Sequence, residues 1–262
     1  MSRRCSNLGY QIDFNDSLNQ LIIGSLLGDG MLKKNSGSKE YTLRFHHSIE
    51  QLQYVEYKRS ILDSYELTTN GGNRGLYFGH YYMKNSGRWY DDVEYMSRTH
   101  PVFSYWESLT YEHVAGRRRV KHLCKEMLDN LGPEALAIWF CDDGSLNAYK
   151  RTKSYGRPDR DMFGYGMNMF IHAESFTVHE QGLLIGVLKD RYGIDGYVYK
   201  EAYSPLQTRD LTLIRILEDG ARRLADVIDP YVPDSMRYKI DPATNLERQL
   251  VAKELIPVET VY

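Results

Sequence analysis

The sequence predicts an α+β protein in which one structural unit is written twice. The apolar stretch LIIGSLLGDG, residues 21–30, has a counterpart in GPEALAIWFCDDG, residues 132–144. Aligned on their terminal glycines, the two set Asp29 over Asp143, 114 positions apart (143 − 29). Each is followed by a segment of period-two alternation and then by a capping signature that opens an amphipathic helix, so helical and strand periods recur in the same order.

In chain order, the first apolar helix runs into Asp29 and Gly30 and gives way to a polar loop. YTLRFHHS, residues 41–48, alternates as a half-buried strand does, and Ser48-x-x-Gln51 is a capping box opening a helix through about Leu62. GLYFGHYYM reads as a further strand and VFSYWESLTYE as a helix. Pro133 suits a first helical position, Glu134 favours the positive end of the dipole, and Gly144 supplies the stop of the second apolar helix. A longer basic loop follows, then the strand-like GYGMNMFIH. Thr177-x-x-Glu180 then opens a helix with Leu184, Val187 and Leu188 inward and Gly193 as its stop. GYVYKE and LQTRDLTLI read as strands, and ILEDGARRLADVI as the closing helix.

At 262 residues the chain is long enough to bury a proper core. Its apolar runs are too short to span a bilayer and its N-terminal arginines precede no apolar run, so an intracellular, soluble, uncleaved protein is expected. Bacterial or phage-host cytoplasm and an organelle matrix fit equally. Cys5, Cys124 and Cys141 are isolated and lack zinc-ligand spacing, which predicts reduced thiols without a structural metal. The eight histidines show no metalloprotease or finger spacing, and most of the 22 tyrosines are expected in core and rim packing. A net charge of −2 argues against a nucleic-acid partner when averaged over the chain. Local runs defeat the average: Arg117, Arg118, Arg119, Lys121 and Lys125 occur without an intervening acid, and Lys150, Arg151, Lys153, Arg157 and Arg160 face only Asp159.

Both apolar helices end on an aspartate, where the macrodipole already places roughly half a negative charge. Gly24 and Gly28 share a helix face and permit close approach of a partner. If that partner is the helix ending at Asp143, the two carboxylates emerge side by side and repel unless a cation lies among them. An oxygen-only site of this kind suits Mg²⁺, held by one or two carboxylates, waters and substrate phosphate oxygens.

IIGSLLGDG and LAIWFCDDG resemble the paired motifs of the LAGLIDADG homing endonucleases in their single-chain form, and the resemblance extends over nearly all of residues 15–240. It implies two pseudo-symmetric αββαββα half-domains packed through the motif helices, with antiparallel sheets forming a DNA-binding saddle. The corresponding domains are 1–114, a basic linker 115–131, 132–240 and a C-terminal tail 241–262. The implied reaction is metal-dependent phosphodiester hydrolysis on both strands of a long, specific duplex during intron or gene homing, by a monomer. Asp29 and Asp143 carry it and hold the metal, with Gly28 and Asp142 grouped around them. Asp142, about 100° around the helix from Asp143, is expected to matter less. Lys239, in DPYVPDSMRYKI, matches the family's C-terminal basic residue; Arg119 and Lys121 are alternatives for the one preceding the second motif, and Lys121 is favoured.

The sheets are the expected readers. Tyr41, Leu43 and Phe45 face the helices, leaving Thr42, Arg44 and His46 on the opposite surface, where arginine pairs with guanine and threonine meets the thymine methyl. In the second half Tyr165, Met167, Met169 and Ile171 separate from Asn168, a candidate for adenine, and from His172. Lys150, Arg151 and Lys153 are expected on phosphate. The same scaffold resembles RNA maturases, which bind intron RNA, and non-cleaving DNA-binding regulators; retention of both aspartates favours the nuclease.

Overall fold

The computed structural model describes residues 3–4, 11–84, 86–112, 119–150, 164–200 and 211–254. They pack as two units, residues 1–143 with 175–180, and residues 144–174 with 181–262. In the first, the short ladder β1 (Arg3–Arg4) with β2 (Gln11–Ile12) precedes α1 (Ser17–Leu27), β3 (Met31–Lys34), β4 (Tyr41–Ser48), α2 (Leu52–Ser64), β5 (Leu76–Met83), β6 (Arg88–Met96) and α3 (Pro101–Thr110). A second short ladder, β7 (Tyr111–Glu112) with β8 (Val120–Lys121), leads to α4 (Lys125–Asp129) and α5 (Pro133–Asp143). In the second unit are β9 (Gly144–Lys150), β10 (Tyr165–Ile171), most of α6 (Val178–Tyr192), β11 (Gly196–Lys200), β12 (Thr212–Ile216), α7 (Glu218–Ile228) and α8 (Pro242–Glu254).

The duplication is visible in the sheets. One is ordered β3-β4-β6-β5 and the other β9-β10-β12-β11, every pair antiparallel, so corresponding strands take corresponding places. The helix order α1, α2, α3 is likewise matched by α5, α6, α7, which is the αββαββα arrangement expected. Both capping signatures fall where predicted. Ser48 accepts from the Glu50 amide and opens a 3₁₀ turn, Ile49–Gln51, before α2. Thr177 and Glu180 bond reciprocally, backbone to side chain, at the start of α6, and Gly193, at φ +66°, terminates it.

α1 is apolar on all sides and buried on all sides, as such a helix must be. Burying a Leu or Ile side chain contributes about 1.5–3 kcal/mol, and Leu18, Leu21, Ile22, Ile23, Leu26 and Leu27 are all buried here. Of its three buried polar residues, Asn19 and Gln20 are satisfied by side-chain hydrogen bonds, while the Ser25 hydroxyl has no partner among the described residues. Asn19 accepts from the Trp106 indole at 2.8 Å, and Gln20 donates to the carbonyls of Phe14 and Asn130. The Gln20 carbonyl in turn accepts from the amides of Gly132 and Ala135, at 3.0 and 3.3 Å, so the start of α5 is fastened to the first turn of α1. Further along, Gly24 lies against Ala135 and Ile138, and Gly28 against Asp142. The two helices therefore run parallel, start beside start and end beside end. Gly24 and Gly28 supply the space that their aligned counterparts, Ile138 and Asp142, fill.

Four segments differ from the sequence expectation. The polar loops placed after each motif begin as strands, β3 and β9. In β3 only Leu32 is buried, and in β9 Leu146 and Ala148 alternate among polar residues, so the period-two signal rests on one or two side chains. β6 was hidden by Asp91, Asp92 and Glu94, residues of low strand propensity that sit on a wet strand. Residues 242–254, expected as tail, form α8, which packs on β9 and β10. Among the described residues no helix is long and apolar enough to cross a membrane.

The tight helix contact generates a paired expectation. A β-carbon at Gly24 meets the Ala135 carbonyl oxygen at 2.5 Å, whereas one at Gly186 in α6 meets nothing within 4 Å. Gly24→Ala is expected to destabilise by about 1–3 kcal/mol through overpacking, and Gly186→Ala to stabilise by about 0.5–1 kcal/mol through helix propensity. Urea unfolding of the two variants beside the parent checks both signs.

Candidate active site

The adjoining C-terminal ends of α1 and α5 create the site. Asp29 lies just past the Gly28 cap of α1, with its side chain 44% exposed, while Asp143 is the last residue of α5. Asp142 has turned inward against Gly28 and its side chain is fully buried. The ends are tied directly: the Asp29 amide donates to Asp142 Oδ2 at 3.3 Å.

A buried carboxylate at a negative dipole end requires cationic partners, and α2 provides them. Lys58, itself fully buried, donates from Nζ to Asp142 Oδ1 at 2.9 Å, and the Tyr54 hydroxyl donates to the same oxygen at 2.7 Å. The ammonium also lies over the rings of Phe45 and Tyr54, 4.2 and 4.7 Å from their centroids, and 2.8 Å from His47 Nε2. Burial alone would raise the Asp142 pKa. The Lys58 charge, the His47 ring and hydrogen bonds from Tyr54 and Lys58 outweigh it and hold the carboxyl below its ordinary value. The same burial, beside the Asp142 charge, raises the Tyr54 phenol well above its usual range. Asp142 thus ties the ends of the helix pair together, a structural role beyond the one the sequence expectation gave it. The 100° offset from Asp143 points it into the interface.

Above the carboxylates sits Lys121. The β7–β8 ladder pairs it with Tyr111, returning the chain from the end of α3, and its Nζ donates to the Gly28 carbonyl at 3.0 Å. Burial lowers its pKa, and the charges of Asp143, Asp142 and Asp29 act in the opposite direction. Arg119 is engaged elsewhere. It pairs with Glu107 at 2.9 Å, donates to the Leu32 carbonyl and lies 4.0 Å from the Tyr111 ring centroid, pinning the ladder to α3 and β3. Of the two basic candidates, Lys121 is the one the fold brings to Asp29 and Asp143.

The model of the LAGLIDADG DNA endonuclease family matches residues 19–217, a span that begins in α1 and ends after β12. The chain belongs to the LAGLIDADG DNA endonuclease family. By class it is a DNA endonuclease, a hydrolase. DNA endonuclease I-ChuI of Chlamydomonas applanata is 27% identical over 221 residues, covering 84% of this chain and 92% of its own. Cytochrome b mRNA maturase bI2 of Saccharomyces cerevisiae is 24% identical over 234 residues, covering 86% of this chain and 48% of its own. The chain thus spans about half of that maturase, and about half of the mycobacterial Protein RecA sequences it also matches. The structure of the homing endonuclease I-WcaI bound to its DNA recognition sequence superposes with a TM-score of 0.65 at 18% identity, covering 88% of each chain, which establishes a common fold.

The residues expected from the sequence to read DNA are variously placed in the sheets. Arg44 and His46 stand on the face of β4 opposite the buried Leu43 and Phe45, and each meets a carboxylate of β6: Arg44 with Glu94 at 3.3 Å, His46 with Asp92 at 2.7 Å. Arg44 also donates to the Asn35 side chain at 2.6 Å. Thr42 is not open as expected. It is buried, its hydroxyl donating to the Lys33 carbonyl and accepting from Arg44. In the second sheet Asn168 is half-buried opposite Asn147 of β9, and His172, just past β10, is exposed between Ser145 and Glu174. Lys150 is exposed at the end of β9, but its pleat puts it on the side of Leu146 and Ala148. Arg151 and Lys153, with Arg157 and Arg160, lie outside the described residues, as do Arg117 and Arg118. Lys239 ends a 3₁₀ segment, Asp234–Lys239, of the second unit and is nearly buried there.

His47, Tyr54 and Lys58 are the site residues the sequence reading missed. The signal was present: His47 has the parity of Leu43 and Phe45 in β4, and Lys58 falls on the buried stripe of α2 with Tyr54, Val55 and Leu62. A charge placed on an apolar stripe needs a partner, and here the partner comes from α5.

Breaking a buried pair leaves an uncompensated charge. Lys58→Met and Asp142→Asn are each expected to cost about 3–5 kcal/mol, and the double variant to recover part of the loss. Because the folded Asp142 pKa lies below its unfolded value near 3.8, its contribution is complete above about pH 4 and is lost as the pH falls through the folded value. Denaturant titrations from pH 7 downward should show a shallower acid loss for Asp142→Asn than for the parent.

Proposed function

We propose that this chain is a site-specific homing endonuclease that makes a double-strand break in a long DNA recognition sequence by Mg²⁺-dependent phosphodiester hydrolysis, working as a monomer. The observation that carries the reading is the meeting of the ends of the two motif helices, where the Asp29 amide donates to Asp142 and Lys121 donates to the Gly28 carbonyl. Both motif helices are present in one chain, so a second copy has nothing to complete.

The donors fit a hard divalent ion. Asp29 and Asp143 offer carboxylate oxygens and Gly28 a backbone carbonyl, while Asp29, His47 and Asp142 place ligand-type atoms within 4.8 Å of one another. Asp142 already receives Lys58, Tyr54 and the Asp29 amide, so in this reading it shapes the site and Asp29 and Asp143 hold the ion. A bound divalent cation would lower the pKa of a water and stabilise the leaving 3′ oxygen. Lys121 offsets the carboxylate charge when the site is empty and offers a donor to a non-bridging phosphate oxygen during cleavage. Lys239, in the stretch that resembles the family's C-terminal segment, is taken as a further basic residue of the reaction. The outer faces of the sheets serve recognition, with Arg44, His46, Asn168 and His172 reading bases and Lys150, Arg151 and Lys153 on phosphate. The I-WcaI structure, a complex with its DNA recognition sequence, supports duplex DNA as the partner.

A second reading has its own support, since one relative is a cytochrome b mRNA maturase. Digestion of a randomised duplex library with Mg²⁺, followed by sequencing of the cut ends, separates the two. One long site with short 3′ overhangs is expected; no cut ends, together with tight binding of intron RNA, would favour the maturase. On the recovered site, Asp29→Asn and Asp143→Asn should each slow cleavage by about 100-fold or more, the scale of losing a principal electrostatic group, and leave binding in Ca²⁺ intact. Cleavage at the parent rate in both variants overturns the mechanism. Binding should also weaken steeply with salt, log K falling by about 0.9 per phosphate contact for each unit of log salt, and a flat profile would remove the basic residues from the interface.

A further inference from the structure

The network beneath Asp29 has a donor and acceptor pattern with one solution. As an ammonium, Lys58 has three protons and accepts nothing. One proton goes to Asp142 Oδ1, another to His47 Nε2, and the aromatic faces of Phe45 and Tyr54 flank the head group. His47 Nε2 therefore accepts, and a neutral imidazole that accepts on Nε2 carries its proton on Nδ1. That nitrogen faces Asp29 Oδ2 at 3.7 Å. The other arm returns to the same residue, since Asp142 Oδ2 takes the Asp29 amide. Lys58 thus reaches Asp29 twice, at the side chain through His47 and at the backbone through Asp142.

The repeat itself shows that this device is not general to the fold. Aligning the helix starts Leu52 and Val178, an offset of 126 (178 − 52), puts Leu184 at the place of Lys58, and both are buried. The register pairs Leu32 with Leu43 in one sheet and Leu146 with Met169 in the other, which puts Ala173 at the place of His47. The second copy carries no charge at either position, and Gly28 takes the place of Asp142. We propose that Lys58 and His47 are positioning residues for Asp29, fixing its carboxylate for a divalent cation by presenting the Nδ1–H of His47. This rests on the reading of Asp29 as a metal-holding carboxylate.

The test begins without DNA or metal. A long-range ¹H–¹⁵N spectrum of imidazole-labelled protein should show His47 as the neutral Nδ1–H tautomer; an Nε2–H tautomer overturns the proposal. Two isosteric variants then divide the ring. Glutamine sets an amide near Nε2, retaining an acceptor for Lys58 and losing the donor to Asp29. Asparagine does the reverse, and carries the metal test if the glutamine variant does not fold. Mn²⁺ affinity, read by water-proton relaxation, should weaken about 10-fold in His47→Gln and less than about 3-fold in His47→Asn, the usual scale for a group supporting a ligand. With duplex recovered from the library, His47→Gln should need about 10-fold more Mg²⁺ for half-maximal single-turnover cleavage at unchanged DNA affinity in Ca²⁺. Parent-like Mn²⁺ affinity in His47→Gln, or equal losses in both variants, overturns the proposal. A parent protein that cuts no duplex counts against the endonuclease reading, while the tautomer and the Mn²⁺ affinities still decide this one.

Discussion

Two helices packed in parallel bring like dipole ends together, and much of the first unit answers that one constraint. α1 and α5 lie start beside start, through Gln20 and the amides of Gly132 and Ala135, and end beside end, through Gly28 and Asp142. At the shared end two half-charges of the same sign meet three aspartates. The electrostatic cost is met from opposite sides, by Lys58 from within the core and by Lys121 from the open side. In the proposed reading, the repulsion that this end of the helix pair carries is also what would attract a cation.

Glycine makes that arrangement possible. At Gly24 and Gly28 a side chain would collide with the neighbouring helix, so the approach that aligns the carboxylates depends on two absent β-carbons. The partner positions are not glycine but Ile138 and Asp142, and the contact is complementary where a perfect repeat would have made it symmetric. Asp142 is consequently buried at a place where the first motif has nothing, and the supporting residues of α2 and β4 have no counterparts in the second copy.

The duplication, both motif helices, both capping boxes and the pair Asp29 and Asp143 were legible because each rests on a recurring pattern. Lys121 was legible only as one of two neighbours; the ladder that brings it to Gly28 while Arg119 turns to Glu107 is set by the pairing of Tyr111 and Glu112 with Val120 and Lys121, which no local signal encodes. Thr42 misled because parity along β4 gives the face of a residue but not what lies over it, and Arg44 lies over it. β3, β6 and β9 were overlooked or read as loops because only one or two buried apolar side chains mark the period in each. Lys58 and His47 were visible as polar residues on apolar stripes, but the partner that explains them is 84 positions away from Lys58 in sequence.

α5 ends the first unit's core and leads directly into the first strand of the second. Because α1 is buried on all sides and one of those sides is α5, the first unit stays incomplete until residue 143 has been made. During synthesis at about 5–20 residues per second, the Gly24–Gly28 face of α1 therefore waits several seconds for its partner with its apolar side chains uncovered. Emergence of the second motif from the ribosome, more than completion of the first half, is the event that commits the nascent chain to its fold.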